Sequence, residues 1–340
     1  MGIFDFNKNK DSNAKKPAGE AKETPKPAEK ETEPVADVKA PAAEVKPAVE
    51  AKTPLNTAPA AVAKPEAPKI EEKKPAMSCV YGPIGSWRFG RSLGIDMLCT
   101  EERTCNFDCV YCRFPRPGKV QTERKEFVSV SKLFDDINAV KGISADWVVF
   151  AGMGEPTLAS NLGEAITLVK SVLGLPVAVM TNGSFIKHKE VRKALSLADM
   201  VVLKLDAFDD KSLNAINRPS GVFSLGKMMQ QWQLFRLEYK GKLSISMMLN
   251  DLNKGEIGDL QYKARLIIPD QIQLSTPLHC EAMKPLSKAD FEKCKQWFWN
   301  FKEVISVFDA KVPAVEPLNA ADTEKRHPTA KKEEEKVSKT

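Results

Sequence analysis

From residue 77 to about residue 312 the apolar positions follow two alternating periods. Short runs near 92–98, 146–151, 176–181, 199–205, 243–249 and 271–276 read as strands. Trp147-Val148-Val149-Phe150 is apolar throughout, as in a parallel strand buried on both faces, whereas Ser244 and Ser246 alternate with Ile245 and Met247. Between these runs apolar residues return every three or four positions. Leu133, Ile137 and Val140 mark one helix face, Leu162, Ile166, Val169 and Leu173 a second, and Met228, Trp232 and Phe235 a third. Further helices are expected over His188 to Leu197 and Gly255 to Leu266, and a helical stretch over Asp209 to Asn217 is broken by Arg218-Pro219. Repeated βα units require a parallel sheet with right-handed crossovers, so six of them predict an α/β fold, an open, partial (β/α)6 barrel of TIM type. Past it, Phe291, Cys294, Phe298, Phe301, Ile305 and Phe308 repeat at spacings of three and four. They predict one amphipathic helix over Ser287 to Phe308, capping the barrel.

Composition divides the chain around that core. Residues 1–76 hold 11 of the 23 prolines, are rich in Ala, Lys and Glu, and have no aromatic between Phe6 and Tyr81. Such a segment buries too little apolar surface to offset chain entropy and is expected to be a disordered, extended spacer. The Lys/Glu-rich end places residues 313–340 as a solvated tail, leaving 77–312 as the folded domain. Seven cysteines, three of them clustered, do not form a disulfide framework. No apolar run reaches membrane-spanning length and the N-terminus lacks the apolar region of a secretion signal, so a reducing, cytoplasmic setting is expected. A net charge of +6 permits an anionic partner such as RNA without demanding one.

The chemistry-bearing residues fall where strands end. Cys105, Cys109 and Cys112 lie at spacing C-x3-C-x2-C. That spacing also fits one face of a helix carrying buried thiols, but Asn106 and Asp108 compete for backbone hydrogen bonds and Val110 and Tyr111 are strand-prone. A loop of converging thiolates is a soft-metal site. A closed zinc site needs a fourth ligand, and Cys99 is the nearby thiol. Three ligands alone leave a position open for chemistry. The 146–151 strand ends at Gly152-Met153-Gly154-Glu155-Pro156, where two glycines let the backbone turn sharply and approach a ligand, unless the stretch is only a strand-to-helix turn. Asn182 and the Lys204/Asp206 pair close later strands. Lys204 and Asp206 share one strand face and can simply pair with each other. In βα barrels this rim carries the chemistry.

Together, Y-G-P-x-x-S-x-R-x-G-x-S-L-G-x-D over 81–96 and C-N-x-D-C-V-Y-C over 105–112 resemble the radical S-adenosylmethionine (SAM) superfamily. They resemble in particular its iron-sulfur oxidoreductases related to the wyosine-forming enzyme of transfer RNA. Arg88 and Arg91 of the first block can also be read as residues that merely shape a surface loop. The resemblance implies a [4Fe-4S] cluster on Cys105, Cys109 and Cys112, SAM on its free iron, and an electron donor such as flavodoxin or ferredoxin. It implies reductive cleavage of SAM to a 5′-deoxyadenosyl radical that takes hydrogen from an unknown substrate. Adenine contacts are expected from the Tyr111 backbone and amine contacts near Gly152, Gly154 and Glu155. Asn182, Lys204 and Asp206 are candidates for ribose or carboxylate contacts. Wyosine-forming relatives carry further upstream cysteines for an auxiliary cluster. Here only Cys79 and Cys99 lie upstream, with Cys280 and Cys294 downstream, so a wyosine-type modification of transfer RNA is an alternative rather than the first reading. A zinc-stabilised binding protein without turnover is the second alternative.

Overall fold

The computed structural model describes residues 77–115 and 118–329, all within one compact unit, Glu71–Thr340. The spacer expected over 1–76 and the last eleven residues of the expected tail lie outside the described residues. The strands are β1 (Val80–Ser86), β2 (Gly90–Ile95), β3 (Thr104–Cys105), β4 (Lys119–Val120), β5 (Trp147–Phe150), β6 (Val177–Thr181), β7 (Met200–Lys204), β8 (Lys242–Met248), β9 (Gln271–Ser275) and β10 (Val304–Ser306). The helices are α1 (Val130–Ala139), α2 (Leu162–Leu173), α3 (Lys189–Leu195), the single turn α4 (Asp210–Ser212), α5 (Leu225–Glu238), α6 (Ile257–Ile267), α7 (Lys288–Lys295) and α8 (Ala320–Arg326).

Eight strands form one curled sheet in the order β1-β2-β5-β6-β7-β8-β9-β10. Every neighbouring pair from β2 to β10 is parallel, with helices between successive strands. This is the partial (β/α)6 barrel that the periodicity predicts, extended at both edges. The period of two along each strand separates the faces. Val148, Phe150, Val177, Val179, Val201, Leu203, Ile245 and Leu274 pack into one core with helix residues such as Leu133, Ile137, Ile166 and Trp232. The concave face is apolar on β5, β6 and β7, where Val149, Ala178, Met200 and Val202 gather around Phe89. On β8 and β9 it is polar, and a hydrogen-bond file runs across it. Ser244 Oγ donates to Gln271 Oε1 (2.9 Å), Gln273 Nε2 donates to the same oxygen (2.8 Å), and Gln271 Nε2 donates to Glu303 (2.7 Å).

Three regions depart from the sequence reading. The Gly- and Pro-punctuated stretch ahead of the strand expected at 92–98, which reads as loop, instead forms β1 and the turn of a hairpin, antiparallel to β2, with Arg88 at the turn. The helix expected over Ser287 to Phe308 stops at Lys295, passes through a 3-10 turn and returns as β10, paired parallel with β9. The β-branched run Val304-Ile305-Ser306-Val307 outweighs the helical spacing, and Phe308 still meets Phe291 edge-on at 4.9 Å. The segment expected to be a solvated tail from residue 313 instead carries α8, capped by the Asn319 side chain on Asp322 N–H. It docks on β1 through Leu318 N–H to Gly82 O (2.8 Å) and Gly82 N–H to Thr323 Oγ1 (3.1 Å). This attachment is polar, so it leaves no apolar stripe in the sequence.

Candidate active site

The cysteine loop leaves β3 and crosses the C-terminal rim of the barrel. It is a loop, not a helix. Its backbone is clamped by the segment after α4: Asp108 N–H donates to Asn217 and Arg218 carbonyls (3.1 and 3.0 Å), Val110 N–H to Ile216 O (2.9 Å), and Ser220 N–H to Asn106 O (2.8 Å). That segment is a π-helical turn, Leu213–Asn217, ending at Arg218 with φ +47°. Such turns recur at functional sites because they push one residue out of helical register. Arg103 fastens the loop from the other side, donating to Phe107 O (2.8 Å) and Asp108 Oδ1 (2.6 Å).

The three thiols line one cavity of about 250 Å³, whose walls include Tyr111, Glu155, Asn182, Lys204 and Asp206. Burial raises the Cys105 and Cys112 thiols above their ordinary range and pushes Cys109 up to about 11. Among the described residues, no group of three or more His, Cys, Asp or Glu side chains is placed to hold a single metal ion. Cys105, Cys109 and Cys112 bring three soft donors to the lining of one cavity. Cys99 does not join them. Its sulfur faces the Met77 and Ser78 carbonyls and Arg326. Cys79 lies near Cys99 beside Asp136, Cys280 touches Val110 O (3.6 Å), and Cys294 packs in the core, so the four remaining thiols do not gather.

Of the candidate cofactor contacts, Tyr111, Gly154, Glu155, Asn182, Lys204 and Asp206 all line this cavity. Gly152 lines an adjoining one instead. A Cβ on Gly154 would stand 1.7 Å from Thr104 O, and one on Gly152 would stand 2.4 Å from the Asp96 carboxyl carbon. Both glycines are therefore demanded by close packing. Thr104 pairs with Gly154, which fixes the start of the cysteine loop against the end of β5.

Glu155 is buried, and burial raises its carboxyl. Four donors oppose that effect: Thr157 N–H (3.1 Å), Thr157 Oγ1 (2.5 Å), Thr181 Oγ1 (2.5 Å) and Asn182 N–H (2.8 Å). The Asn182 side chain donates to Asn106 Oδ1 (2.8 Å) and accepts from Ser184, so it ties β6 to the cysteine loop. Asp206, 1% exposed, accepts from the Tyr111 hydroxyl, Asn217 Nδ2 (3.1 Å) and Met248 N–H (2.7 Å), and pairs with Lys204 at 3.2 Å. The Lys204 ammonium also lies over the Tyr111 ring, 5.0 Å from its centre. Lys204 and Asp206 thus pair with each other and brace the loop together.

Sequence reasoning missed Asn106, Arg113 and Asn217. Asn217 Nδ2 reaches Cys109 Sγ (3.5 Å), the Tyr111 oxygen (3.0 Å) and Asp206. Its only signal was the helix break at Arg218-Pro219. Arg91, offered as a loop-shaping residue, is exposed and pairs with Asp146, whereas Arg88 turns into the barrel.

The family model described as "Radical SAM superfamily" matches residues 103–255, which take in the cysteine loop and the rim as far as β8. The UPF0026 protein slr1464 of Synechocystis sp. is 35% identical over 210 residues, covering 62% of this chain and 78% of that protein. A protein named GTPase Obg from Brachyspira hyodysenteriae is 31% identical over 254 residues, 72% of this chain but only 36% of that longer protein. Among solved structures, Streptococcus suis SuiB bound to precursor peptide SuiA aligns with a TM-score of 0.49 at 14% identity, covering 65% of this chain and 50% of that one.

Proposed function

The chain belongs to the radical SAM superfamily, and from that premise we propose that it is an enzyme holding a [4Fe-4S] cluster on Cys105, Cys109 and Cys112, with SAM in the cavity beside them. The observation that carries this reading is the shared wall: three thiols, an anchored loop and an open cavity on the C-terminal rim of the barrel. Held by Cys105, Cys109 and Cys112, the cluster would supply the electron for reductive cleavage of SAM to methionine and a 5′-deoxyadenosyl radical able to take hydrogen from a substrate.

The chain's own residues hold and orient. The Glu155 carboxylate is committed to four hydrogen bonds, so the SAM amine is left to the backbone of Gly154 and Glu155. Lys204, 19% exposed and paired through one oxygen of Asp206, keeps donors for the SAM carboxylate. Asn182 acts through the loop it anchors, positioning Asn106 and hence the cysteines. Tyr111 presents its backbone to adenine while its hydroxyl is locked to Asp206. The apolar lining from Met180, Met228, Trp232 and Met248 excludes water from a reactive carbon radical.

The test is anaerobic purification followed by measurement of iron, acid-labile sulfide and zinc, then incubation with SAM and a strong reductant. Iron and sulfide near four per chain, with 5′-deoxyadenosine and methionine appearing together, is the expected result. Stoichiometric zinc without iron, or a reducible cluster that yields no 5′-deoxyadenosine, overturns the reading.

A further inference from the structure

The cavity beside the cysteines has a neighbour. A second cavity of about 230 Å³ shares Arg88, Arg113, Phe114, Gly154 and Met180 with the first and extends under the β1–β2 hairpin to α8. Three guanidiniums line it, from Arg88, Arg113 and Arg326. Arg88 donates only to neutral acceptors, Gln273 (3.0 Å), Ser275 (3.4 Å) and Ser246 (3.5 Å). Arg113 makes no ion pair among the described residues, and its Nη1 is buried without a hydrogen-bond partner. Arg326 is 1% exposed; it meets Asp322 at 3.3 Å through Nη2, while its Nε and Nη1 are buried and unpartnered.

Carboxylates offset these charges, Asp96 and Asp322 acting on Arg326, Glu324 on Arg113 and Asp206 on Arg88, but they leave the three guanidinium nitrogens named above without acceptors. Asp322 is the one carboxylate paired with a guanidinium of the chamber. Asp96, next to Gly152, accepts from the Leu98, Cys99 and Met153 amides and acts on Arg326 through space without a hydrogen bond to it. Glu324 is exposed and bonds Thr329. The field is felt by His327 on the same wall, whose imidazole is pushed down to about 3 by burial and then by Arg113, His279 and Arg88. Buried donors without acceptors cost free energy unless a ligand supplies the acceptor.

We propose that this second chamber binds the oxyanion group, carboxylate or phosphate, of a small-molecule substrate, with Arg113 and Arg326 as its main ligands and Arg88 on the wall shared with the first cavity. A planar fork of donors suits both anions. The shared wall at Gly154 and Met180 would hold the rest of the substrate against the SAM cleft. That placement rests on the proposed reading of the first cavity, but anion binding itself requires neither cluster nor SAM.

The experiment titrates the full-length protein as purified with pyrophosphate and, separately, with citrate at fixed ionic strength, by calorimetry and thermal shift. The expected result is saturable one-to-one binding, weakened about tenfold or more in Arg113→Met and in Arg326→Met, and unchanged in Arg91→Gln. Binding of pyrophosphate alone assigns a phosphate, and of citrate alone a carboxylate. Should a variant fail to fold, phenylglyoxal modification of the wild type, mapped by mass spectrometry, asks whether the bound anion shields Arg113 and Arg326. No saturable binding, binding indifferent to both substitutions, or no shielding overturns the proposal. Formation of 5′-deoxyadenosine is measured in parallel on the cluster-loaded wild type. Anion binding without SAM cleavage defeats only the earlier reading, and cleavage without anion binding defeats only this one.

Discussion

The two faces of the same strands are built on different principles. On the convex side Val148, Phe150, Val201, Leu203, Ile245 and Leu274 all enter one continuous apolar core with the helices. On the concave side apolar β5, β6 and β7 face polar β8 and β9, where Ser246, Gln273 and Ser275 support Arg88. The convex face gains stability from area removed from water, at about 25 cal/mol per Å². The concave face gives up part of that gain: each buried polar group there needs a partner, and several guanidinium nitrogens have none among the described residues. Stability resides on one side of the sheet and chemistry on the other, and substitutions should separate the two.

The largest effect is expected from the rim. Cys109→Ala should remove essentially all cluster iron and the visible absorption of the reconstituted protein, while its melting temperature stays near that of metal-free wild type; an unchanged spectrum would exclude this ligand set. Next comes Asp206→Ala, which strands the Tyr111 hydroxyl, Asn217, the Met248 amide and Lys204 at once. Removing one partner of a buried pair costs about 3–5 kcal/mol, so denaturant unfolding should show that loss, and iron incorporation should fall because the loop loses its brace. Leu203→Ala, on the convex face of β7, the strand that leads to Asp206, should cost about 2–4 kcal/mol through cavity formation yet leave iron content per folded molecule unchanged. If it strips the cluster as thoroughly as Asp206→Ala, the division between faces is wrong.

The smallest effect concerns the chamber wall. His327 is held neutral to about 3 against an ordinary 6.5. Above 6.5 folded and unfolded chains are both neutral there and the residue makes no difference. As pH falls below 6.5 the unfolded chain takes up a proton that the folded one refuses, so stability drops by about 1.4 kcal/mol per unit. Comparing wild type with His327→Gln between pH 7 and 5 should show a shallower decline in the variant; parallel curves would mean that His327 is not held neutral.

Much of this was legible in advance, for an identifiable reason. The six barrel strands and the helices α1, α2, α3, α5 and α6 announce themselves because each buries a face at a fixed period. The three cysteines and the rim positions 154, 155, 182, 204 and 206 are legible because strand ends locate them. What escaped has no period. The β1–β2 hairpin is written in Gly and Pro, and α8 is held by a threonine, an asparagine and backbone amides. Asn106 and Asn217 are single polar residues whose partners lie far along the chain, and Arg113 is a lone cation with no periodic neighbours to announce it. The run over 287–308 shows the converse error: aromatic spacing of three and four is also met by a short helix, a turn and a strand folded back on it.

Because Arg326 and His327 arrive from a segment that composition alone would discard, any shortened version ending at residue 312 would keep every strand of the sheet and all three thiols. It would also leave the space under the hairpin open to solvent on one side, with Tyr81 bared. If the chamber binds an anion as proposed, such a truncate would lose that binding while keeping the three thiols, and a screen of candidate compounds is better run on the chain with α8 in place.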